Sequence, residues 1–181
     1  MPIYTHTGDQ GTASLNVNFQ DLPKSHPVFS LLGDLDELNS LVGVILSLSP
    51  SPLTKKYLLR LQSEIFLLSS EIASPSKPHF RLKSIQVRQL ERRIDQISRH
   101  LPQLKTFIFS QGTTPATLLF LARTVARRAE RSLVSLAKHP PFATNHMLFA
   151  YLNRLSDFLF VLARYENYQC DLKDHPWPDP K

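Results

Sequence analysis

Arg123, Arg127 and Arg131 recur at every fourth position of the run Ala122-Arg-Thr-Val-Ala-Arg-Arg-Ala-Glu-Arg131. At about 100° per residue they share one face of a helix, with Glu130 between them, and Val125, Ala126, Ala129, Leu133 and Leu136 cover the other. Such a helix buries one side and holds a row of guanidinium groups on the other, where their planar forks suit phosphate oxygens or carboxylates. The chemistry this spacing points to is anion binding. Further along, Asn153, Asp157 and Arg164 form a narrow polar stripe opposite Leu148, Leu152, Leu155, Leu159 and Leu162, flanked by Phe149 and Phe160. That stripe reads either as solvent-facing surface or as an interhelical network or ligand site.

Three other places carry candidate residues. The start of the chain, Tyr4-Thr-His-Thr-Gly-Asp-Gln-Gly-Thr-Ala-Ser14, combines two glycines with several hydroxyls. Glycines let backbone N–H groups turn toward an anion, although a plain turn has the same composition. In Leu32-Gly-Asp-Leu-Asp-Glu-Leu-Asn39, three acids open a helix, where they complement its dipole. Asp36 lies further in, and spacing leaves open whether it serves the dipole or pairs with an arginine of the row. Phe107, by residue type alone, is a core aromatic. The 7 histidines and the single Cys170 show no metal-ligand spacing, and we assign no metal to protein side chains.

These residues need a scaffold, and the chain's periodicity supplies one. Residues 1–31 hold Gly8, Gly11, Pro23 and Pro27 without a sustained apolar period and read as a loop or extended arm. A first helix spans about residues 32–48, with Leu35, Leu38, Leu41, Val42 and Ile45 on one face, and Pro50 and Pro52 end it. Ser51-Pro52 opens a second, with Leu58, Leu61, Ile65, Leu68 and Ile72, closed by Pro75 and Pro78. A basic third helix fits residues 84–100. Thr114-Pro115 opens a fourth that runs to about Lys138, and a fifth covers about residues 144–167. A proline-rich tail, within residues 168–181, is expected to lie over the surface. The expected class is an all-α five-helix bundle in one domain.

Composition narrows the function classes. At 181 residues and 42% hydrophobic content the chain fills a single core. A lone cysteine needs no oxidising compartment, so a cytoplasmic setting is the default. Residues 1–15 lack the basic start and apolar run of a secretory signal, and no apolar stretch approaches a membrane span. The net charge of +6 is uneven, with eleven basic and four acidic side chains in residues 51–110. That excess permits nucleic-acid binding, but a solvated helix surface explains it as well, and neither an aromatic stacking platform nor a reader motif accompanies it.

Taken together, Tyr4-Thr-His-Thr-Gly-Asp-Gln-Gly11, Gly33-Asp-Leu-Asp-Glu-Leu-Asn-Ser40, Phe107-Ile108, the arginine run 122–131 and Tyr151-Leu-Asn-Arg-Leu-Ser-Asp-Phe-Leu-Phe160 resemble the PduO-type cob(I)alamin adenosyltransferases. The resemblance covers about residues 3–167 in order. It implies trimers of five-helix bundles with active sites between subunits, which transfer the 5′-deoxyadenosyl group of ATP to cobalt and release triphosphate. It implies that an amino-terminal nucleotide-binding loop wraps ATP through Thr5, His6, Thr7, Gly8, Ala13 and Ser14, with Lys24 reaching the phosphates. Arg127, Arg128, Glu130, Arg131 and Asn153 complete that site. Asp36 and Arg123 are similar to a family ion pair across the subunit interface, and Phe107 to an aromatic that displaces the lower axial base of the corrinoid. Mg²⁺ on the triphosphate and a flavoprotein or other reductase are implied with it; nucleic acid and membrane are not.

The chain departs from the family pattern at Gln10 (usually Lys), in residues 16–20 (a glycine pair and an arginine), at Gln111 (usually Gly) and at Phe120 (often His). Residues 16–32 align only with about one inserted position. A non-catalytic corrinoid-binding sensor or carrier derived from the family is the alternative that these departures leave.

Overall fold

The computed structural model describes residues 3–4, 6–16, 18–142 and 145–178. Five helices make up the fold: α1 Pro27–Ser47, α2 Pro52–Ala73, α3 Ser84–Ser98, α4 Thr114–Leu136 and α5 His146–Gln169. α4 packs against both α1 and α5, α3 lies on α5, and α2 lies on α1. The apolar stripes read from the sequence meet between them, and Leu35, Leu38, Val42, Leu119, Ala126, Leu133, Leu155 and Leu159 are fully buried. α4 can approach its two neighbours closely because the face it presents is small, with Ala122, Ala126 and Ala129 all at 0% exposure.

The boundaries shift for local reasons. α1 starts five residues before the expected Leu32, because the His26 ring Nδ1 accepts from the Val28 N–H at 3.2 Å and Pro27 takes the first turn, where its missing N–H costs nothing. Val28 and Leu31 join the core as a result. The Ser51 cap is as expected, while α4 is capped one residue earlier, by Thr113 accepting from Ala116 N–H at 3.3 Å. Position 144, the expected start of α5, lies outside the described residues. Asn145 caps the helix from the next position and also donates to Glu71 Oε1 at 2.6 Å.

The arm contains a two-residue antiparallel pair, β1 Thr12–Ala13 with β2 Leu22–Pro23. It is tied down by Asn16 Nδ2 donating to Ala73 O at 2.6 Å and by Phe19 against Phe142, ring centroids 4.7 Å apart. The tail is more engaged than a surface covering. Trp177 N–H donates to Phe107 O at 2.8 Å, and Phe109 N–H to His175 O at 2.9 Å, around an antiparallel bridge of Ile108 with Pro176. Pro176 thus occupies a non-hydrogen-bonded pair, where a residue without an N–H loses no ladder bond.

Two polar joints brace the bundle. Asn167 accepts from Thr113 N–H at 3.0 Å and donates to Gln111 O at 2.9 Å, which fixes the entry to α4. Gly112 sits there at φ +135°, and a Cβ would lie 2.0 Å from Asn167 Oδ1. Gly112→Ala is therefore expected to cost at least about 2 kcal/mol of stability, measured by chemical denaturation, because backbone strain and a steric clash add.

At the second joint Glu64 of α2 accepts from Arg93 Nη2 of α3 at 3.0 Å, from Arg60 Nε at 2.8 Å and from the Tyr151 hydroxyl of α5. Burial pushes the Glu64 carboxyl up, but the hydrogen bonds from Arg93 and Tyr151, the Arg93 charge and the Arg60 bond together hold it below its usual range. Burial and the adjacent Glu64 charge also raise Tyr151 well above its ordinary value, so it stays a donor. A carboxyl with a lowered folded value adds stability above its unfolded value and loses it as pH falls through the folded one. Glu64→Gln should lower neutral-pH stability by about 1–3 kcal/mol. It should also flatten the fall in melting temperature below about pH 4.5, as thermal melts across that range would record.

Candidate active site

α4 carries the arginine row as its face predicts, yet each guanidinium has a different environment. Arg123 is half-buried, 5.6 Å from the centroid of the Phe160 ring. Arg127 is exposed, with no hydrogen bond or ion pair from its side chain among the described residues. Arg131 donates from Nη1 to Arg127 O at 3.1 Å. With a rise of about 1.5 Å per residue, the row spans about 12 Å.

At one end of the row is a cavity of about 810 Å³, lined by Arg123 of α4, Asp157 and Phe160 of α5, the 104–108 segment and Trp177 of the tail. Phe107 belongs to its wall with 82% of its surface exposed. The bridge to the tail explains this: Ile108 turns toward the core, and strand alternation sends Phe107 and Phe109 the other way. Phe107 is thus no core aromatic.

At the other end is a cleft of about 280 Å³ between the first turn of α1 and α4, lined by Ser25, Pro27, Ser30, Arg128, Arg131, Ser132 and Ser135. It combines a helix amino terminus, hydroxyls and cations, a donor set that favours an anion. The arm lies beside it in sequence. Lys24, next to Ser25, donates from Nζ to Gly8 O at 2.8 Å, and its N–H donates to Gly11 O at 2.8 Å. A Cβ on Gly8 would stand 3.0 Å from that ammonium, so glycine lets Lys24 close in. Ala13 pairs with Leu22, and Ser14 Oγ accepts from Asp21 N–H at 3.1 Å. His6, at φ 59°, contacts Asp9 Oδ2 at 3.2 Å. Gly8, Ala13, Ser14 and Lys24 are thereby gathered in one small structure, while Thr5 lies outside the described residues.

Other expected residues divide. Asn153 donates to Glu130 Oε1 at 3.0 Å, and Arg154 donates to Asn153 Oδ1 at 2.7 Å, so Glu130 and Asn153 form one polar chain between α4 and α5. Arg128 is held by α1: its Nε donates to Asp34 Oδ1 at 2.8 Å and its Nη2 to Glu37, while Ser132 Oγ donates to Asp34 Oδ2 at 2.6 Å. The hydrogen bond to Asp34, partly offset by desolvation, raises the guanidinium further above its ordinary value. Asp36 is exposed and makes no ion pair within the chain among the described residues. Arg123 faces the cavity instead, so the two are not brought together inside one chain.

The residues missed by sequence reasoning are Trp177, Asp34 and Glu37, and Asp174, which grips Arg164. The Asp34/Glu37 spacing of three residues, facing Arg128 and Ser132 four apart, was the available signal.

A bundle with these two openings along one arginine face defines a class, and comparison with known proteins gives it a family. The cobalamin adenosyltransferase family model matches residues 3–166. A corrinoid adenosyltransferase of Bacillus subtilis is 38% identical over 180 residues, covering 96% of this chain and 91% of the relative. The PduO corrinoid adenosyltransferase of Citrobacter freundii is 39% identical over 172 residues, 93% of this chain but only 50% of the relative's length. Among solved structures, a variant of the PduO-type ATP:corrinoid adenosyltransferase from Lactobacillus reuteri complexed with cobalamin and ATP superposes with TM-score 0.89 at 32% identity, covering 98% of this chain and 100% of that one. The chain belongs to the cobalamin adenosyltransferase family, among the PduO-type corrinoid adenosyltransferases.

Proposed function

We propose that this protein transfers the 5′-deoxyadenosyl group of ATP to cobalt(I) of a corrinoid, giving adenosylcobalamin and triphosphate. The observation that carries the reading is Phe107, a large aromatic kept 82% exposed in the wall of a cavity shared with Arg123 and Asp157. Folding alone gives no reason to hold it there, since burial would favour the fold by about 2 kcal/mol.

Cobalt(I) is the nucleophile, so no Ser, Cys or His of the chain needs to attack. Its electron pair forms the cobalt–carbon bond at C5′, and the C5′–O bond breaks with its pair leaving on the triphosphate. The negative charge that grows there meets Arg127, Arg131, Lys24 and the first turn of α1. Arg128, engaged by Asp34 and Glu37, serves chiefly to set the distance between α1 and α4. No group of three His, Cys, Asp or Glu among the described residues could hold a metal ion. Mg²⁺ would come with the nucleotide, held by its phosphate oxygens, and would screen their charge. Glu130 and Asn153, with His6, Thr7, Gly8, Ala13 and Ser14, enclose the nucleoside.

The active unit is a single-domain chain in a homotrimer with sites between subunits. Support comes from Asp36, outward and unpaired within the chain among the described residues, and from exposed Leu121 (49%) and Val134 (50%) on the arginine helix. The proposed enzyme works in the cytoplasm with electrons from a flavoprotein or other reductase; among the described residues no helix is long and apolar enough to cross a membrane.

One anaerobic assay tests the function. ATP and chemically reduced cobalamin are mixed with the protein, and the absorbance of adenosylcobalamin is followed. A bound corrinoid spectrum with no cobalt–carbon bond formed would favour the non-catalytic relative.

A further inference from the structure

We propose that Arg164 and Asp174 are positioning residues for Phe107: their ion pair clamps the carboxy-terminal tail, and the tail holds the corrinoid-facing segment in place. The inference rests on the reading of Phe107 given above.

The pair joins three parts of the chain. Arg164 of α5, its side chain only 7% exposed, donates from Nη2 to Asp174 Oδ2 at 2.8 Å and from Nε to both Asp174 oxygens at 3.2 and 3.1 Å. The same Nη2 donates to Pro102 O at 2.6 Å. From this joint the 102–109 segment and the tail run out side by side, and they meet again at the bridge of Ile108 with Pro176. Phe107 lies at the far end, and its own carbonyl is the acceptor for Trp177 N–H.

Packing does only part of this work: Ile108 lies partly buried against the core, but the rest of the two segments is less filled in. Beneath the two segments is an apolar cavity of about 500 Å³, walled by Leu101, Leu104, Ile108, Tyr168, Leu172 and Pro176, together with the clamp itself. A strap over a void is set by its attachments, which here are the ion pair at one end and two backbone hydrogen bonds at the other. A buried ion pair is seldom the most stabilising choice, since an apolar pair of like volume commonly serves stability as well. What a fork on a two-oxygen acceptor adds is a fixed direction. An exposed aromatic has no neighbours to correct its placement, and a shift of about 1 Å at a reacting centre costs on the order of a hundredfold in rate.

Trp177 is the chain's only tryptophan, so its fluorescence reads tail docking without reference to catalysis. The test is Asp174→Asn, with the neighbouring Lys173→Ala as control and far-UV circular dichroism to verify the helices. In Asp174→Asn, acrylamide quenching of Trp177 is expected to rise about twofold. kcat for cobalamin adenosylation should drop about tenfold, with the KM for ATP held within about twofold. Bound cob(II)alamin should show more of the base-coordinated form by electron paramagnetic resonance. Lys173→Ala should match wild type on every measure.

Unchanged quenching in Asp174→Asn overturns the clamp, whether or not the protein proves to be an adenosyltransferase. Raised quenching with unchanged kcat also overturns it, because the tail would then not position Phe107. A wild-type protein that forms no adenosylcobalamin removes the function reading separately, and the fluorescence result still decides whether Asp174 holds the tail.

Discussion

Arg127→Ala is expected to lower kcat/KM for ATP by about a hundredfold, equivalent to about 2.7 kcal/mol of transition-state stabilisation. The other arginines of this stretch of α4 are already engaged: Arg123 with Phe160, Arg128 with Asp34 and Glu37, and Arg131 with the Arg127 carbonyl. Among these arginines and the described residues, Arg127 alone presents an uncommitted fork, so most of its interaction energy is available to a ligand. Because it is exposed and makes no side-chain bond among the described residues, truncation should move stability by no more than about 0.5 kcal/mol. Loss of turnover with an unchanged melting temperature is therefore the signature. Arg127→Lys should recover only part of the rate, since an ammonium replaces a planar fork by a point charge. Anaerobic steady-state kinetics with ATP varied decide the matter, and wild-type values for Arg127→Ala would take this residue out of the site.

Phe107→Ala is the second large effect. The expected fall in kcat is about a hundredfold, while the dissociation constant for ATP moves by less than about twofold. Phe107 lines the cavity with Arg123 and Asp157, at the end of the row away from the cleft holding Arg131. In the proposed reaction an aromatic wall there would keep a donor base off cobalt, and a cobalt(II) centre without that σ-donor would take up an electron more readily. Stability should not suffer, because the ring is 82% exposed and leaves no cavity when removed. Single-turnover adenosylation and equilibrium ATP binding, measured side by side, separate the two quantities. Equal losses in both would refute the assignment.

Much of the fold could be read directly from the chain. The stripes on α2, α4 and α5 and the prolines at their ends follow from a period of 3.6 and from the missing N–H of proline. The start of α1 was less legible, since a histidine cap followed by proline looks like continued loop until the His26 to Val28 hydrogen bond is seen. In the site, the arginine row follows from a helix face, but the partners of Glu130, Arg128 and Arg164 depend on how separate elements dock. Asp34 and Glu37 meet Arg128 because α1 packs against α4; their spacing of three residues marks one helix face but does not name the partner that face meets. Asp174 was hidden for a similar reason, lying in a proline-rich stretch with no period. Glu64, Arg93 and Tyr151 occur among apolar stripe residues, and only their convergence from three helices shows why polar groups belong there.

The bridge between the tail and the Phe107 segment also settles a matter of alignment. The carbonyl of Phe107 requires an N–H opposite it, and Trp177 supplies one from between Pro176 and Pro178. Sliding the tail by one residue in either direction would set a proline at that place, lose a bond worth about 1 kcal/mol and turn the indole to the opposite face. The sequence Pro-Trp-Pro thus works as a one-position ratchet stop, in which a tail slipped by one residue either way rejects itself and loses the indole from the cavity wall.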